Sequence, residues 1–325
     1  MKRYGMAVIG LGVVGRRMLE QAADSPHLAV VAAWDASPQA RKAAAADFAG
    51  LPLAASAAEA IERLDVDIVY VAVPPLAHAG LVRAAVAAGK AVFCEKPLGV
   101  DVAESAALVE EVTRSRLPQA VNFVFASSAA VDALRDAVTA PDFGLRAVEI
   151  RTRFHQWPRD WQAGATWLER SDQGGFTREV LSHYVYLLHR LFGRVELLGA
   201  SAAGPAGEPG AAEVSVAATL ACDGVPVSIT GSVGGQAPDR IEAVFVGARS
   251  EWRLFDWYRL EACDAEAPRG RPVPGLPPDP RQSSYRRQLE QIHALLSGGS
   301  HTLPGFADAL AVQRIVEAML ATRRG

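Results

Sequence analysis

Along the first 125 or so residues, short β-branched and aromatic runs alternate with alanine-rich runs, a pattern that predicts strand–helix–strand units and a parallel sheet. The strand segments are Arg3 to Ile9, Leu28 to Asp35, Ile68 to Val73 and Ala91 to Glu95, with a shorter one near Leu51 to Ala54 and another at Gln119 to Phe125. Ile68-Val69-Tyr70-Val71-Ala72-Val73 is apolar at successive positions, so both faces of the sheet need cover, and the intervening helices supply it. A doubly wound domain is expected.

The texture then changes. A helix is predicted near Val131 to Val138, a strand near Leu145 to Phe154, a loop carrying Trp157, Trp161 and Trp167, and a long helix from Phe176 to Phe192. Between Val195 and Asp264 strand-like segments follow one another, among them Val214 to Leu220, Val225 to Thr230, Ile241 to Val246 and Glu251 to Phe255, which predicts a mainly antiparallel sheet. Ala267 to Arg281 holds six of the twenty prolines and is expected to be an extended loop; Tyr285 to Leu296 and Phe306 to Thr322 are expected to be helical. No internal repeat is visible. The fold class is α/β, and 325 residues suit two domains, divided here as 1–122 and 123–325.

Half the residues are apolar and 21% are charged, enough to bury a large core. The 33 basic and 36 acidic side chains leave a net charge of −3, without the one-signed field of a nucleic-acid or membrane-surface binder. Cys94, Cys222 and Cys263 form no CxxC spacing, so neither a disulfide framework nor a thiolate zinc site is expected, and a reducing cytoplasm fits. Met1-Lys2-Arg3 resembles the n-region of a signal peptide, but the apolar run after it is cut by glycines and closed by Arg16-Arg17 without a small-residue cleavage site, so it is read as a first strand. Uncharged stretches such as Ile68 to Val82 fall short of the roughly 18 residues a membrane span needs.

Gly10-Leu11-Gly12-Val13-Val14-Gly15 lies directly between the first strand and the helix that follows it, the context in which GxGxxG carries chemistry. Gly10 allows a tight turn, Gly12 lets a pyrophosphate approach the backbone, and Gly15 allows close packing of helix on strand. The helix N-terminus then offers N–H groups and a favourable dipole to the phosphates. Asp35, 20 residues beyond Gly15, is placed to accept from a ribose 2′-OH and to repel a 2′-phosphate, which favours NAD. Ser37 and Arg41 nearby keep NADP possible. The competing reading is that the glycines merely permit a sharp turn and Asp35 merely ends a strand.

At the C-terminal end of a parallel strand, Phe93-Cys94-Glu95-Lys96-Pro97-Leu98 sets a lysine where open α/β sheets bind ligands; its ammonium can hold a substrate oxygen and stabilise developing negative charge. A surface Glu-Lys pair before a proline turn is the plainer alternative. With Val71-Ala72-Val73-Pro74-Pro75-Leu76-Ala77-His78 and Ala88-Gly89-Lys90-Ala91-Val92 added to these residues, the chain resembles, over nearly its whole length, the family of glucose-fructose oxidoreductase, inositol dehydrogenases and MocA, written Gfo/Idh/MocA. The resemblance implies a Rossmann domain over 1–122 and a substrate-binding and oligomerisation α/β domain over 123–325, whose open sheet often joins subunits into a dimer or tetramer. It implies that Val73, Pro74, Pro75, His78 and Asn122 line the cofactor, that Glu95 and Lys96 lie near the nicotinamide ribose, and that Lys96-Pro97 is cis. With Gly10, Gly12, Val13, Val14, Gly15, Asp35 and Ser37, these are the candidate cofactor residues.

Glu179 and His183 stand four apart on the helix that follows Gly174-Gly175 and so share one of its faces, at the border of the stripe Val180, Tyr184, Leu187, Leu188, Leu191. A histidine exchanges protons near neutral pH, and a neighbouring carboxylate orients it. Family members commonly carry Asp-x-x-x-His after Gly-Gly, which puts the proton-transfer role on His183; Glu179 departs by one methylene. A second departure is Asn122-Phe123-Val124-Phe125, where sugar-oxidising members often carry arginines, so a pocket faced by Phe123 or Phe125 would be less polar. Arg178, His155 and Trp157 are candidate substrate contacts, with packing or solvation as the alternative for each; His189, His293 and His301 are assigned to structure. No HExxH or similar cluster suggests a metal. The expectation is an NAD(P)-dependent hydride transfer to or from a carbinol or carbonyl carbon of a sugar, cyclitol or related small molecule, with Lys96, His183 and Glu179 catalytic. Imine reduction on the same scaffold and a catalytically silent dinucleotide sensor are the rivals.

Overall fold

The computed structural model describes residues 3–324; Met1 and Lys2, which begin the stretch likened to an n-region, lie outside the described residues. The chain divides into two compact units, Met1–Ser127 with Tyr285–Leu310, and Ser128–Ser284 with Ala311–Gly325. The sequence pattern suggests one division, after residue 122, whereas here the chain returns to the first unit at Tyr285. The reason lies at a sheet edge: the Val121 N–H donates to Pro304 O, and the Phe306 N–H donates to the Gln119 side chain at 2.8 Å, so the returning segment satisfies groups of the last strand.

In the first unit β1 (Tyr4–Ile9), β2 (Leu28–Trp34), β3 (Ile68–Val71), β4 (Ala91–Glu95) and β5 (Gln119–Asn122) form one parallel sheet in the order β2-β1-β3-β4-β5. Every residue of β3 and β4 is buried, as their apolar runs require. The strand expected near Leu51 to Ala54 is reduced to a single bridge, Ala33 to Leu53. Helices α1 (Val13–Ala23), α2 (Pro38–Asp47), α3 (Ala57–Glu62), α4 (His78–Ala87) and α5 (Val102–Ser115) connect the strands. Ser37, Ser56 and Asp101 cap α2, α3 and α5 by accepting from the backbone N–H three residues on. Strand order reverses on either side of β1, which makes the C-terminal ends of β1 and β3 the switch point where open sheets bind ligands.

The second unit begins with α6 (Ala129–Val138) and β6 (Ala147–Phe154). It continues through a π-helical turn, Thr177–Leu181, into α7 (Ser182–Phe192). Then come β7 (Val195–Ala203), β8 (Ser215–Cys222), β9 (Val225–Val233), β10 (Arg240–Val246), β11 (Glu251–Phe255), β12 (Arg259–Cys263) and the short β13 (Arg271–Pro272) within the proline-rich loop. The eight strands are ordered β13-β12-β11-β10-β6-β9-β8-β7, with every pairing antiparallel except β6 with β9. One face buries Val148, Ile150, Val227, Ile229 and Phe245; the other shows Arg151, Arg153, Thr219, Ser228 and Thr230, the period-two pattern of a half-covered sheet. The last helices are α8 (Pro280–Ser297) and α9 (Phe306–Leu320).

Candidate active site

Each glycine of the first loop has a separate cause. Gly10 has φ +102°, and a Cβ there would lie 2.2 Å from Ala72 O; one at Gly15 would lie 1.9 Å from Gly10 O. Both are required by packing of the loop and α1 onto the sheet. Gly12, which caps α1 with ordinary φ −72° and no side-chain cap, has no atom within 4 Å of its Cβ position. The open space therefore sits against the first-turn N–H groups of α1, room that suits a pyrophosphate. Asp35 braces this loop: one carboxylate oxygen accepts from Leu11 N at 2.7 Å and the other from Ser37 N at 2.7 Å. An ionised carboxylate has about four acceptor sites, so two such bonds leave capacity for ribose hydroxyls. Arg41 donates to Asp35 O at 2.5 Å, and Ser37 caps α2.

One strand further on, Lys96 follows β4 through a cis Lys96–Pro97 bond, as the resemblance implies. Glu95 and Lys96 are 9% and 8% exposed. The Glu95 carboxylate accepts a short hydrogen bond from the Tyr70 hydroxyl and one of 2.6 Å from Asn122 Nδ2, while Asn122 Oδ1 accepts from Gln288 Nε2 at 2.5 Å. Burial, helped by the charge of Glu95, pushes the Tyr70 hydroxyl far above its ordinary value and keeps it a donor. Asn122, expected beside the cofactor, uses its amide to hold Glu95. His78 is fully buried, its ring nitrogens 2.9 Å from Pro97 O and 2.8 Å from Val73 O. Burial lowers its pKa against the opposing pull of these carbonyls. The His78 ring ties the turn after β3 to the turn after β4. Pro75 is also buried; Val73, Pro74 and the exposed Leu76 form the rim after β3.

In the second unit the expected single helix from Phe176 starts as the π turn that holds Glu179, and such turns recur at functional sites. Glu179 Oε1 accepts from Gln162 Nε2 at 3.2 Å, and Gln162 Oε1 accepts from Arg159 Nε at 2.9 Å. With its oxygen engaged by a guanidinium, this buried amide offers its N–H to Glu179. Arg159 lies over the Phe154, Trp157 and Trp161 rings at 5.5, 5.6 and 4.7 Å. His183, mostly buried, meets the Trp257 ring nearly at right angles with centroids 5.0 Å apart. Asp256 and Trp257 have φ of +46° and +76° in a tight turn closed by Tyr258 N on Phe255 O. Glycine or asparagine is the usual occupant of such positions. Gln162, Arg159 and Trp257 carried no motif in the sequence; the only signal was the clustering of tryptophans.

The three candidate substrate contacts each have partners within the second unit. Arg178 forms a bidentate pair with Glu317 at 2.6 and 2.7 Å and donates to Ser171 O and Gly174 O, so its donors are engaged inside the unit. The Trp157 indole N–H donates to Leu168 O, and its ring packs against Phe154 and Phe176. His155 lies on the surface beside Asp239. Phe123 and Phe125 are buried core residues. Among the described residues no group of three or more His, Cys, Asp or Glu could hold a metal ion.

Residues 4–123 match the family model GFO_IDH_MocA, an oxidoreductase family with an NAD-binding Rossmann fold, and residues 131–251 match the GFO/IDH/MocA C-terminal domain. Among curated relatives, the dTDP-3,4-didehydro-2,6-dideoxy-alpha-D-glucose 3-reductase of Streptomyces violaceoruber is 36% identical over 140 residues, spanning 41% of either chain. D-apiose dehydrogenase of Paraburkholderia graminis is 29% identical over an alignment spanning 100% of this chain and 89% of that one. Among solved structures, levoglucosan dehydrogenase in complex with NADH and L-sorbose superposes with a TM-score of 0.86 at 20% identity, covering 99% of this chain and 97% of that one, and so shares the fold.

Proposed function

Because the chain belongs to the Gfo/Idh/MocA oxidoreductases, we propose that it is an NAD-dependent dehydrogenase or reductase acting on a carbinol or carbonyl carbon of a sugar, cyclitol or related polyol. The observation that carries this reading is the open notch at Gly12 against the N-terminus of α1, with Asp35 braced beside it and Lys96 at the end of a strand of the same sheet. When bound, nicotinamide supplies the carbon that gives or takes hydride. Lys96 holds the reacting oxygen by its ammonium; His183 gives or takes that oxygen's proton; Glu179, held by Gln162, accepts from a neighbouring hydroxyl or orients the imidazole. The relatives' names support a sugar-like substrate, and the Asp35 carboxylate supports NAD over NADP. Burial of Phe123 and Phe125 supports the carbonyl reading over imine reduction.

Expected behaviour is turnover of at least one of myo-inositol, D-apiose, levoglucosan and L-sorbose, with NAD(H) preferred to NADP(H) when both directions are assayed. Dinucleotide binding without turnover on a broad polyol and ketose panel would favour the sensor instead. Lys96→Ala and His183→Asn should each lower kcat by about 10²- to 10⁴-fold while NAD+ affinity, measured by fluorescence titration, changes by less than about threefold. Wild-type rates in either variant would remove that residue from the scheme. We further propose a cytoplasmic homo-oligomer joined through the open face of the eight-stranded sheet; the three buried free cysteines support a reducing compartment. Among the described residues no helix is long and apolar enough to cross a membrane.

A further inference from the structure

Gly174 and Gly175, which precede the turn carrying Glu179, have no role in the chemistry above, yet neither position tolerates a side chain. A Cβ at Gly174 would lie 2.4 Å from Trp167 O and 2.5 Å from Leu168 O. Gly175 has φ +95°, and a Cβ there would lie 2.1 Å from Oε2 of Glu213. Glu213 comes from the segment before β8, is 2% exposed, and accepts from Thr177 N at 2.7 Å through Oε1. Thr177 opens the π turn, and the Glu179 N–H donates back to Gly175 O at 3.0 Å. On the other side of the same backbone, Arg178 donates to Gly174 O at 3.0 Å. The first N–H groups of a helix lack partners within it, and a serine, threonine or aspartate in the local sequence ordinarily supplies one. Here a carboxylate 36 positions away does so, buried against a glycine that leaves it room. Burying a carboxylate is unfavourable, so a helix that needed only a cap would be served better by the local chain.

We propose that Glu213 is a positioning residue of the reaction: seated in the notch at Gly175, its carboxylate fixes Thr177 and thereby the rotation of the π turn that aims Glu179 and His183. This rests on the reading of those two residues as the acid/base pair. Glu213 touches neither reacting atoms nor dinucleotide in this scheme, so its loss should alter turnover and not cofactor binding.

The test uses the full-length protein and two readouts. Amide hydrogen exchange of the peptide covering 176–183 should be roughly tenfold faster or more in Glu213→Ala, as loss of a buried hydrogen bond implies, with other core peptides unchanged. With whichever panel polyol turns over, kcat of Glu213→Ala should fall tenfold or more while KM and NAD+ affinity stay within about threefold. Glu213→Gln keeps an acceptor for Thr177 and should restore both exchange protection and kcat to within about threefold of wild type. Unchanged exchange in Glu213→Ala overturns the proposal, as does faster exchange with full kcat. If Glu213→Ala does not fold, Glu213→Gln decides: a folded glutamine variant with protected Thr177 but tenfold lower kcat shows that charge and not position matters, and overturns it. Absence of turnover in the wild type on every polyol counts against the acid/base reading, and the exchange measurement then decides separately whether Glu213 holds the turn.

Discussion

A methyl group added at Gly12 meets no protein atom within 4 Å, whereas one at Gly15 would collide with the carbonyl of Gly10. Gly12→Ala should therefore melt within about 2 °C of wild type, a surface-like effect of less than about 0.5 kcal/mol, and yet bind NAD+ at least about tenfold more weakly in a fluorescence titration. Gly15→Ala should lose several degrees of Tm and binding together. Equal stability losses in the two variants would mean that the space at Gly12 serves packing and not a ligand. Arg178 tests the opposite case, a candidate substrate contact whose donors are engaged by Glu317, Ser171 and Gly174. Removing one partner of a buried ion pair costs about 3–5 kcal/mol, so Arg178→Ala should show a large fall in urea midpoint. At temperatures where the variant is folded, KM should be nearly unchanged. The glycine loop and Asp35 were legible in the sequence because their geometry depends on neighbours within one βα unit. Arg178 was not, since its partner Glu317 lies 139 positions away and leaves no local pattern. Gln162 and Glu213 escaped notice for the same reason.

Between elements, the alternation of apolar runs was sufficient to place the strands of the parallel sheet, and it also placed the helix from Phe176 to Phe192. It could not show that the helix begins with π hydrogen bonding, which depends on a cap from another segment and a glycine notch, not on periodicity. The strand near Leu51 to Ala54 shrank to one bridge because Pro52, which has no N–H, interrupts it. The cap at Thr177 also has a pH signature. Burial raises the Glu213 carboxyl above its ordinary value of 4.5, against the opposing pull of Thr177 and the charge of Arg178. A carboxyl whose folded-state pKa is raised favours the fold fully below 4.5, and that contribution is lost as pH rises through the folded value. The ionised side chain therefore costs stability at neutral pH. Thermal melts should find Glu213→Gln more stable than wild type at pH 7.5, with the difference closing near pH 4. A gap of the same size at both pH values would locate the effect in packing.

At the scale of the whole molecule, the eight-stranded sheet leaves one face with small and charged side chains, exposed across β8 and β9 where Thr219 pairs with Ser228. If a second copy covers it, Thr219→Arg combined with Thr230→Arg should shift the protein to monomers in sedimentation velocity without lowering the Tm of the subunit. An unchanged sedimentation coefficient would exclude this face. The two-part division was visible in the sequence as a change from alternating to consecutive strands, but the return of Tyr285–Leu310 was not, because two ordinary helices do not announce which sheet they serve. That return sets the order in which the protein can be completed. Until Tyr285–Leu310 has been made, β5 lacks the carbonyl of Pro304 and Asn122 lacks the amide of Gln288, and until residues 311–325 follow, Arg178 in the second unit lacks Glu317, so neither unit is finished before the chain is nearly complete. A fragment cut after residue 127 would inherit the same unfinished edge.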